Sequence, residues 1–499
     1  MRRVLIANRG EIALRVIRAC KAARLDTVAV YSDADAGAPH VLAADTAVRL
    51  GPPPAAESYL NVAALLDAAR HSGADAVHPG YGFLSERAHF ARAVEDAGLI
   101  FIGPPADAIE RLGSKTGARR LMEAAGVPVV PGVTLDDQSD AALSAAAAVL
   151  GAPLLVKPAA GGGGIGMKTV RHLDELAAAL PQARREAQAA FGNATLYLER
   201  LVDRPRHIEV QIFADRHGQV VHLFERECSA QRRHQKVVEE TPSPAVTAAV
   251  RARIGAAAVT AAQTVGYQNA GTVEFLLEGE GDDARFYFLE INTRLQVEHP
   301  ITECVVGVDL VRAQLAVAAG APLPWRQDAL SQRGHALECR IYAEDPARGF
   351  LPQAGPLLRY REPAGPGIRI DAGVVEGGAV SVYYDPMLAK VVAFGETRAH
   401  SIALAQEALT RFEILGVRTN LAFLQALISR PEFAEGRIDT GFIERHLAEL
   451  CPETAPVPPA VVAAAAWHTS LGGAPPPDSS PSASAGRSDP FDTIRGWRG

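Results

Sequence analysis

Lysine is scarce in this chain, and the scarcity is informative. Only six of the 50 basic residues are lysines, namely Lys21, Lys115, Lys157, Lys168, Lys236 and Lys390. Arginine is therefore the ordinary surface cation, and each lysine marks a place where a compact ammonium group is useful. Four of the six lie between positions 115 and 236. This clustering supports a binding region in that segment.

Cysteine, strong charge and long apolar runs are also lacking. Five cysteines, with no CxxC pair, argue against a disulfide framework and against a zinc site. The net charge of −7 argues against a nucleic-acid-binding protein, which needs a basic face. No apolar run approaches the roughly 20 residues of a membrane span, and MRRVLIANRGEI opens directly into a strand without a signal-peptide core. We therefore expect a cytoplasmic protein with no membrane or nucleic-acid partner.

The sequence pattern predicts a multidomain protein of mixed α/β and α+β class. Residues 1–113 alternate short apolar strands with helices, which predicts a doubly wound parallel sheet. Residues 114–329 and 330–446 are expected to form a second and a third unit. Residues 447–499 are rich in Ala, Pro and Ser, which predicts a disordered linker followed by the start of a possible further domain.

The most informative stretch is a predicted hairpin, made of the strands TVEFLLE and RFYFLEIN. Folding the hairpin about Asp282 places Glu274 opposite Glu290. Because side chains alternate along a strand, Asn292 shares their face. The residues around these acids are mostly apolar, so we expect the acidic pair to be buried. Two facing carboxylates repel each other unless a positive charge lies between them, and hard oxygen ligands favour Mg²⁺.

Four polar residues follow the hairpin directly. Arg294, Gln296, Glu298 and His299 offer a cation, an amide, an acid and an imidazole within reach of the expected metal. The alternative is a structural salt bridge in an ordinary hairpin. In that case Arg294 would neutralise one of the two acids and leave the other unpaired.

A glycine-rich run, PAAGGGGIGMK, follows an apolar strand that ends at Lys157. Four consecutive glycines suit a mobile flap whose N–H groups close over phosphates, and a flexible linker is the alternative. The run lacks the GKS/T ending of a P-loop. The single glycine of ANRGEIA fits a phosphate loop or a tight strand-to-helix turn equally well.

Two further stretches are candidates for nucleotide binding. Residues 196–202, LYLERLV, predict an edge strand that meets an adenine ring through its backbone. Residues 229–240 form an unusually polar run after a strand and include Gln231, His234 and Lys236. The run is either a binding surface or a solvated face.

Taken together, the motifs ANRGEIALR, HPGYGFLSE, KPAAGGGGIGM, ERECSAQRRHQKVVEE and FLEINTRLQVEHPITE resemble biotin carboxylase, an ATP-grasp ligase family, in the family's order. The resemblance covers roughly residues 1–445. It implies an N-terminal doubly wound domain, an ATP-grasp domain with a glycine-rich lid at about 130–203, and a C-terminal biotin carboxylase domain. It also implies a homodimer.

The reaction implied by the resemblance begins when bicarbonate attacks the γ-phosphate of MgATP and forms carboxyphosphate. Carboxyphosphate collapses to CO₂ and phosphate, the phosphate removes the N1′ proton of biotin, and biotin captures CO₂. This is the first half-reaction of an acyl-CoA carboxylase, which in the acetyl-CoA case serves fatty acid biosynthesis.

The resemblance also implies roles for individual residues. Two metal ions, Mg²⁺ or Mn²⁺, are expected on Glu274, Glu290 and Asn292. ATP is expected on Lys115, Lys157, Gly163, Gly164, Glu199, Arg200, Val202, His207, Gln231 and His234. Bicarbonate is expected on Lys236, Arg294, Gln296, Val297 and Glu298, with Glu298 as the base. Biotin is expected on Tyr81, Gly82 and Arg340, and the expected catalytic set is Lys236, Arg294, Glu298 and Arg340.

Two positions depart from the family pattern. Ile165 stands where a basic residue is common in the lid, and Arg200 stands where lysine is usual. Since backbone groups read the adenine there, ATP binding is expected to survive the second change.

The chain has no A-M-K-M biotin-attachment motif, so biotin is expected on a separate carrier protein or domain. A carboxyltransferase subunit is a further expected partner. The ending DPFDTIRGWRG resembles the linker and first strand that follow this unit in α subunits of the methylcrotonyl-CoA type. The chain is therefore expected to be a stand-alone subunit with an extension, or a shortened α subunit.

Two rival functions remain. Another ATP-grasp ligase of the carbamoyl-phosphate type would need a tandem repeat of the fold, and no such repeat is visible in the sequence. A catalytically silent assembly subunit would not need all of Glu274, Glu290, Glu298 and Arg340.

Overall fold

In the computed structural model, which describes residues 1–159, 166–451 and 459–470, the N-terminal segment folds around a five-stranded parallel sheet. Its strands are β1 Arg3–Ile6, β2 Asp26–Ser32, β3 Thr46–Gly51, β4 Ala76–His78 and β5 Ile100–Phe101. Its helices are α1 Gly10–Ala22, α2 Pro39–Ala43, α3 Val62–Ser72, α4 Ala88–Asp96 and α5 Ala106–Gly113, and the next helix, α6 Lys115–Ala124, packs in a different apolar core. The strand order is β3-β2-β1-β4-β5.

Both faces of this sheet are covered, as the alternation of side chains along β1 requires. Val4 and Ile6 belong to one apolar core with Ile12 and Val16 of α1. Leu5 packs on the opposite face in a second core, which includes residues of α3 and α4. The predicted doubly wound parallel sheet is therefore confirmed.

A smaller antiparallel sheet follows, with its own helices. Its strands are β6 Gly132–Val133, β7 Leu154–Pro158, β8 Lys168–Val170 and β9 Leu196–Arg200, in the order β6-β9-β7-β8, with helices α7 Asp140–Leu150 and α8 Leu176–Phe191. Leu154, Val156 and Leu198 lie in a separate apolar core with residues of both helices. The sheet and these helices thus have a core of their own.

The main sheet has eight strands in the order β14-β13-β10-β11-β12-β15-β22-β20. Its strands are β10 Arg206–Ala214, β11 Val220–Arg232, β12 Gln235–Thr241, β13 Asn269–Glu278, β14 Arg285–Asn292, β15 His335–Tyr342, β20 Ile368–Ala372 and β22 Met387–Gly395. The short strands around it are β16 Glu344–Asp345, β17 Leu351–Pro352, β18 Gly355–Pro356, β19 Arg359–Arg361, β21 Ala379–Val380 and β23 Glu413–Leu415. The helices are α9 Ala248–Thr264, α10 His299–Val306, α11 Leu310–Ala318, α12 Arg398–Arg411, α13 Leu421–Ile428, α14 Pro431–Ala434, α15 Phe442–Arg445 and α16 Leu447–Leu450.

This sheet crosses the boundary expected near position 330. Strands β12 and β15 pair directly, with Glu239 opposite Glu338 and Val238 opposite Cys339. The second and third expected units therefore share one hydrogen-bonded sheet, and residues 1–451 form one compact unit.

The C-terminal region differs from the expectation in one place. The helix α17 Pro459–Ser470 lies within the part predicted to be a disordered linker. Its sequence contains a run of four alanines, and alanine has the highest helix propensity. Among the described residues, no helix is both long and apolar enough to cross a membrane.

Candidate active site

The hairpin β13–β14 forms with the predicted pairing at its centre. Glu274 lies opposite Glu290, and Thr272 lies opposite Asn292. A β-bulge follows Glu274, so that Phe275 faces Phe288. Between the bulge and the turn, each residue of β13 is therefore paired one residue away from the partner that folding about Asp282 predicts. The bulge does not disturb the acids, and Glu274, Glu290 and Asn292 all line one cavity of about 920 Å³.

The two acids differ in exposure, which corrects the expectation of a buried pair. The Glu274 side chain is 6% exposed, whereas the Glu290 side chain is 37% exposed. Glu290 lies at the end of the main sheet, where β14 is the edge strand. Its carboxylate is 3.2 Å from the ammonium of Lys115, so each acid has a cation of its own.

Glu274 is held by a dense set of donors. Asn292 Nδ2 and Lys236 Nζ each donate to Glu274 Oε1 at 2.8 Å, and Nε2 of His207 lies 3.0 Å from Oε2. Burial would raise the pKa of Glu274, but the charges of Lys236 and His207 outweigh burial and hold that pKa far below its ordinary value. Glu274 is therefore anionic at any physiological pH.

Lys236 is the centre of the charge network. Its ammonium contacts Glu209 and Glu274, and it donates to Glu298 Oε1 at 2.7 Å. Burial would lower the pKa of Lys236, but the three carboxylates raise it well above its ordinary value. The polar run at residues 229–240 is thus solvated only at its turn, residues 233–235, and its Lys236 supplies the cation that joins Glu274 to Glu298.

Arg340 approaches Glu298 from strand β15. Its Nη2 donates to Glu298 Oε2 at 2.8 Å, and its Nε donates to Glu239 Oε1 at 2.6 Å. Burial would raise the pKa of Glu298, but Lys236, Arg340 and Arg226 hold that pKa well below its ordinary value. Glu298 is fully buried, and it lies just behind the cavity wall formed by Lys236 and Arg340.

The loop after the hairpin is tied to the N-terminal unit. Arg294 Nε lies 3.0 Å from Glu86 Oε2, in the motif HPGYGFLSE. Arg294 Nη1 donates to Gln296 Oε1 at 2.8 Å, which orients the amide toward the cavity. Val297 also lines the cavity. The expected bicarbonate residues therefore lie together in space.

His299 does not reach the expected metal. It is the first residue of α10 and is fully buried, and its Nδ1 donates to the carbonyl oxygen of Gln296 at 2.8 Å. Burial, followed by the charges of Lys390 and Arg15, lowers the pKa of His299 well below its ordinary value. The expectation that this imidazole faces the metal is wrong, because the helix turns the side chain into the core.

Most of the expected nucleotide residues that the structure describes lie on the smaller sheet and on the segment β10–β12, whereas Lys115 begins α6 and Val202 follows β9. Lys157 donates to Glu199 Oε2 at 2.8 Å, and Arg119 donates to Glu199 Oε1 at 3.1 Å. His207 Nδ1 is 3.2 Å from Gln231 Oε1, and His234 occupies an exposed turn that lines the cavity. Lys115, Lys157, Glu199, Arg200, Val202 and Gln231 do not line the cavity. Gly163, Gly164 and Ile165 fall outside the described residues.

Residues 196–202 do not form an edge strand. Strand β9 lies between β6 and β7, and Glu199 pairs with Gly132 on one side and Leu155 on the other. The two-residue strand β6 has almost no apolar pattern, so the sequence gives little sign that it covers β9. Arg200, at the end of β9, donates from Nη1 and Nη2 of its guanidinium group to the two oxygens of Glu278, at 2.8 and 3.0 Å.

The expected biotin residues line the same cavity. Tyr81 donates its hydroxyl hydrogen to Glu11, and Gly82 has a φ of 69°, a left-handed conformation that glycine adopts without strain. Burial, followed by the charge of Glu11, raises the pKa of Tyr81 well above its ordinary value. Tyr81, Gly82 and Arg340 therefore share one pocket with the hairpin acids.

Three family descriptions match successive parts of the chain. The N-terminal domain of biotin carboxylase matches residues 1–109, the ATP-binding domain of the carbamoyl-phosphate synthase L chain matches 114–326, and the C-terminal domain of biotin carboxylase matches 338–445. A biotin carboxylase from Halalkalibacterium halodurans is 51% identical over 448 residues, which are 89% of this chain and 98% of that protein. The chain belongs to the biotin carboxylase family.

Solved structures from the biotin carboxylase family have the same fold. The biotin carboxylase domain dimer of a 2-oxoglutarate carboxylase from Hydrogenobacter thermophilus, in complex with MgADP, ADP and bicarbonate, matches with a TM-score of 0.86 and 42% identity over 91% of this chain and 99% of that chain. A Campylobacter jejuni biotin carboxylase in a β-γ-ATP complex matches with a TM-score of 0.85 and 41% identity over 89% of this chain and 99% of that chain. The predicted ATP-grasp fold is confirmed.

Some of the similar proteins are longer than this chain. The α subunit of methylcrotonoyl-CoA carboxylase from Arabidopsis thaliana is 51% identical over 449 residues, which are 90% of this chain and 61% of that protein. The chain thus spans about three fifths of the length of these curated relatives.

The donor set fits the divalent cation expected in a biotin carboxylase. Two carboxylates and an amide, on Glu274, Glu290 and Asn292, line the same cavity, and these are the hard ligands that Mg²⁺ prefers. Both carboxylates already contact ammonium groups. The site therefore accommodates positive charge at each acid.

Several polar residues of the site were not predicted from the sequence. Glu209 and Arg226 are fully buried and form an ion pair behind Lys236, and Glu239 is the second acceptor of Arg340. Glu209 follows His207 by two residues on β10, so strand alternation alone places both on one face. No comparable signal identifies Arg226, because its partners come from three other elements.

Proposed function

We propose that this chain carboxylates biotin at N1′, with ATP and bicarbonate as the other substrates and carboxyphosphate as the intermediate. The observation that carries the proposal is the position of Glu298. This acid is fully buried, and its two oxygens contact Lys236 and Arg340, which both line the cavity. An anionic carboxylate held beside two cations that line the pocket supports a role for Glu298 as the base that accepts the proton of bicarbonate.

Bicarbonate binds between the ammonium of Lys236 and the guanidinium of Arg294. A planar anion suits a guanidinium fork, and Gln296 and the backbone of Val297 complete its surroundings. Glu298 is a weak base because its pKa is held low. It therefore removes the proton only from an acid whose own pKa is lowered by the same cations.

ATP binds across the smaller sheet. Lys115 and Lys157 meet the phosphates, and Gly163 and Gly164 are the further phosphate-binding residues of the proposal. The backbone at 199–202, with Glu199, Arg200 and Val202, frames the adenine, and His207, Gln231 and His234 hold the ribose side.

Two Mg²⁺ or Mn²⁺ ions are held by Glu274, Glu290 and Asn292. When bound, the metal neutralises charge on the transferring phosphoryl group. The same hairpin holds Lys236 through Glu274. Glu274 therefore aligns the phosphate side of the site with the bicarbonate side.

Biotin enters along Tyr81 and Gly82, and Arg340 stabilises the enolate of its ureido group. Glu239 accepts a hydrogen bond from Arg340 Nε. This contact leaves the far edge of the guanidinium directed at the cavity, which Arg340 lines. Arg340 is thus oriented before biotin arrives.

The remaining proposals concern the assembly. Biotin is supplied on a carrier protein or domain, and a carboxyltransferase subunit uses the carboxybiotin. A homodimer is supported by the dimer of the Hydrogenobacter thermophilus domain, and an α-subunit role of the methylcrotonyl-CoA type is supported by the longer relatives. Five free cysteines support a reducing compartment such as the cytoplasm.

The test is ATP cleavage by the purified chain with Mg²⁺, ¹⁴C-bicarbonate and free biotin. We expect ADP release that depends on bicarbonate and rises with biotin, and acid-labile ¹⁴C on biotin. ADP release stimulated by ammonia instead would favour a carbamoyl-phosphate-type ligase. ATP binding without any turnover would favour a silent assembly subunit.

A further inference from the structure

Lys390 is a fully buried lysine to which none of the proposed roles gives a function. It lies on β22, directly opposite Arg340 on β15 and directly opposite Asp371 on β20. Its side chain is 0% exposed. Two like charges opposite each other on adjacent strands are unfavourable, so a fully buried lysine beside Arg340 needs a compensating set of acceptors.

The acceptors of Lys390 belong to both sides of the active site. Its ammonium donates to the carbonyl oxygen of Val297 at 2.7 Å and lies 3.1 Å from Glu11 Oε1. Glu11 Oε2 in turn accepts the hydroxyl hydrogen of Tyr81. One buried cation thus joins the loop that carries Gln296 and Glu298 to the wall that carries Tyr81.

The charge on Lys390 is permanent. Burial would lower its pKa, but Glu11, Glu338 and Asp371 raise that pKa above its ordinary value. Asp371 is 3.9 Å from the ammonium and forms its short contacts with Arg369 instead. The ammonium is therefore drawn toward Val297 and Glu11 rather than toward its cross-strand neighbour.

We infer that Lys390 is a positioning residue, which fixes the backbone of residues 294–298 through the Val297 carbonyl and couples this loop to Tyr81 through Glu11. The inference rests on the proposed function for the chemistry of the loop, but the placement of the loop can be tested separately. The side chains of Arg294, Gln296 and Glu298 all depend on the backbone that Lys390 holds.

The main test compares Lys390→Met with the double variant Lys390→Met/Glu11→Gln and with Lys21→Met. Lys21 is a surface lysine with one exposed ion pair to Asp45, which makes it a matched control. Lys390→Met should raise KM for bicarbonate about tenfold, because a hydrogen bond from a charged donor is lost. It should also lower Tm, because Glu11 is left buried without its cation.

The double variant separates positioning from stability. Removing the charge of Glu11 should restore most of the lost Tm, whereas KM for bicarbonate should stay high, since Val297 still lacks its donor. If KM and Tm recover together, or if KM never changes, Lys390 is a structural residue only and the inference is wrong. Lys21→Met should match the wild type in both quantities.

Hydrogen exchange gives a readout that needs no turnover. Amides at residues 294–298 should exchange faster in Lys390→Met and in the double variant than in the wild type or in Lys21→Met. Unchanged exchange in this loop would overturn the inference even if the wild type is active. A wild type without bicarbonate-dependent turnover, but with faster loop exchange in Lys390→Met, would overturn the proposed function and leave the positioning role supported.

Discussion

Arg340 and Glu298 contact each other directly, with Arg340 Nη2 2.8 Å from Glu298 Oε2. The cation proposed for the biotin half of the reaction therefore holds the base proposed for the bicarbonate half. Lys236 contacts the other oxygen of Glu298. A change at Glu298 is thus expected to affect the sites of both substrates and, through Lys236, the hairpin acid Glu274.

Replacing Glu298 with Gln should abolish bicarbonate-dependent ATP cleavage, with a loss of at least about a hundredfold in kcat, because the base is removed. ATP affinity should stay within about twofold of the wild type, since Glu298 contacts Lys236 and Arg340 rather than the nucleotide residues. Steady-state kinetics and calorimetry with a non-hydrolysable ATP analogue measure the two quantities. An equal loss of ATP affinity would contradict the assignment of Glu298.

Because Glu274 is buried and Glu290 is partly exposed, we expect their Gln variants to differ in Tm. Glu290→Gln should shift Tm little, because a partly exposed ion pair contributes roughly 0–1 kcal/mol, but it should raise the Mg²⁺ concentration for half-maximal activity. Glu274→Gln should lower both Tm and activity, since Lys236 and Asn292 lose a buried acceptor. Thermal unfolding and Mg²⁺ titration distinguish the two. Equal Tm losses would show that the difference in burial has no energetic effect.

Arg200 and Arg285 form a natural pair of variants, because both contact Glu278. Arg200 donates two hydrogen bonds to it and lies over the Tyr287 ring, whereas Arg285 is 70% exposed and makes one contact at 3.3 Å. Arg200→Ala should raise KM for ATP several-fold by freeing the end of β9, and Arg285→Ala should leave it unchanged. Arg200→Lys should remain close to the wild type if the backbone reads the adenine. A large effect of Arg285→Ala would contradict this view.

The pH dependence of stability should include a contribution from His40. Burial lowers the pKa of His40 from 6.5 to about 4, against the opposing charge of Asp35. The unfolded chain therefore takes up a proton near pH 6.5, whereas the folded chain takes it up only near pH 4. Stability is complete above pH 6.5 and is lost as the pH falls toward 4, by about 2 kcal/mol at pH 5.

The variant His40→Leu should remove this dependence of folding stability on pH. Its Tm should fall less than the wild-type Tm when the pH is lowered from 7.5 to 5, and differential scanning fluorimetry measures the difference. The surface variant His89→Gln is the control, because His89 is exposed. Parallel curves for the wild type and His40→Leu would exclude His40 as the source.

Local patterns predicted the parts of the site that depend on local geometry. The alternation of side chains and a fold about Asp282 placed Glu274 opposite Glu290, which the structure confirms, although the bulge after Glu274 is what brings this pair into the predicted register. The alternation of strands and helices was likewise enough for the N-terminal parallel sheet. Both features follow from periodicity within a short stretch of chain.

Features that depend on contacts between residues distant in sequence were either not predicted or predicted wrongly. The burial of His299 depends on the packing of α10 against the core, and the interior position of β9 depends on a two-residue strand more than sixty residues earlier. The exposure of Glu290 follows from the place of β14 at the edge of the sheet. Lys390 was noticed only as a rare lysine, because its partners Val297 and Glu11 are remote in sequence.

Strands β12 and β15 exchange main-chain hydrogen bonds across position 330. A fragment cut there would retain Lys236 and Glu298 but lose Arg340, and the cut would leave β12 as a bare strand edge, which invites aggregation. The ATP-binding part of this chain is consequently not a module that can be grafted onto another C-terminal partner by joining loops. Any successful chimera would have to exchange the whole sheet from β10 to β22.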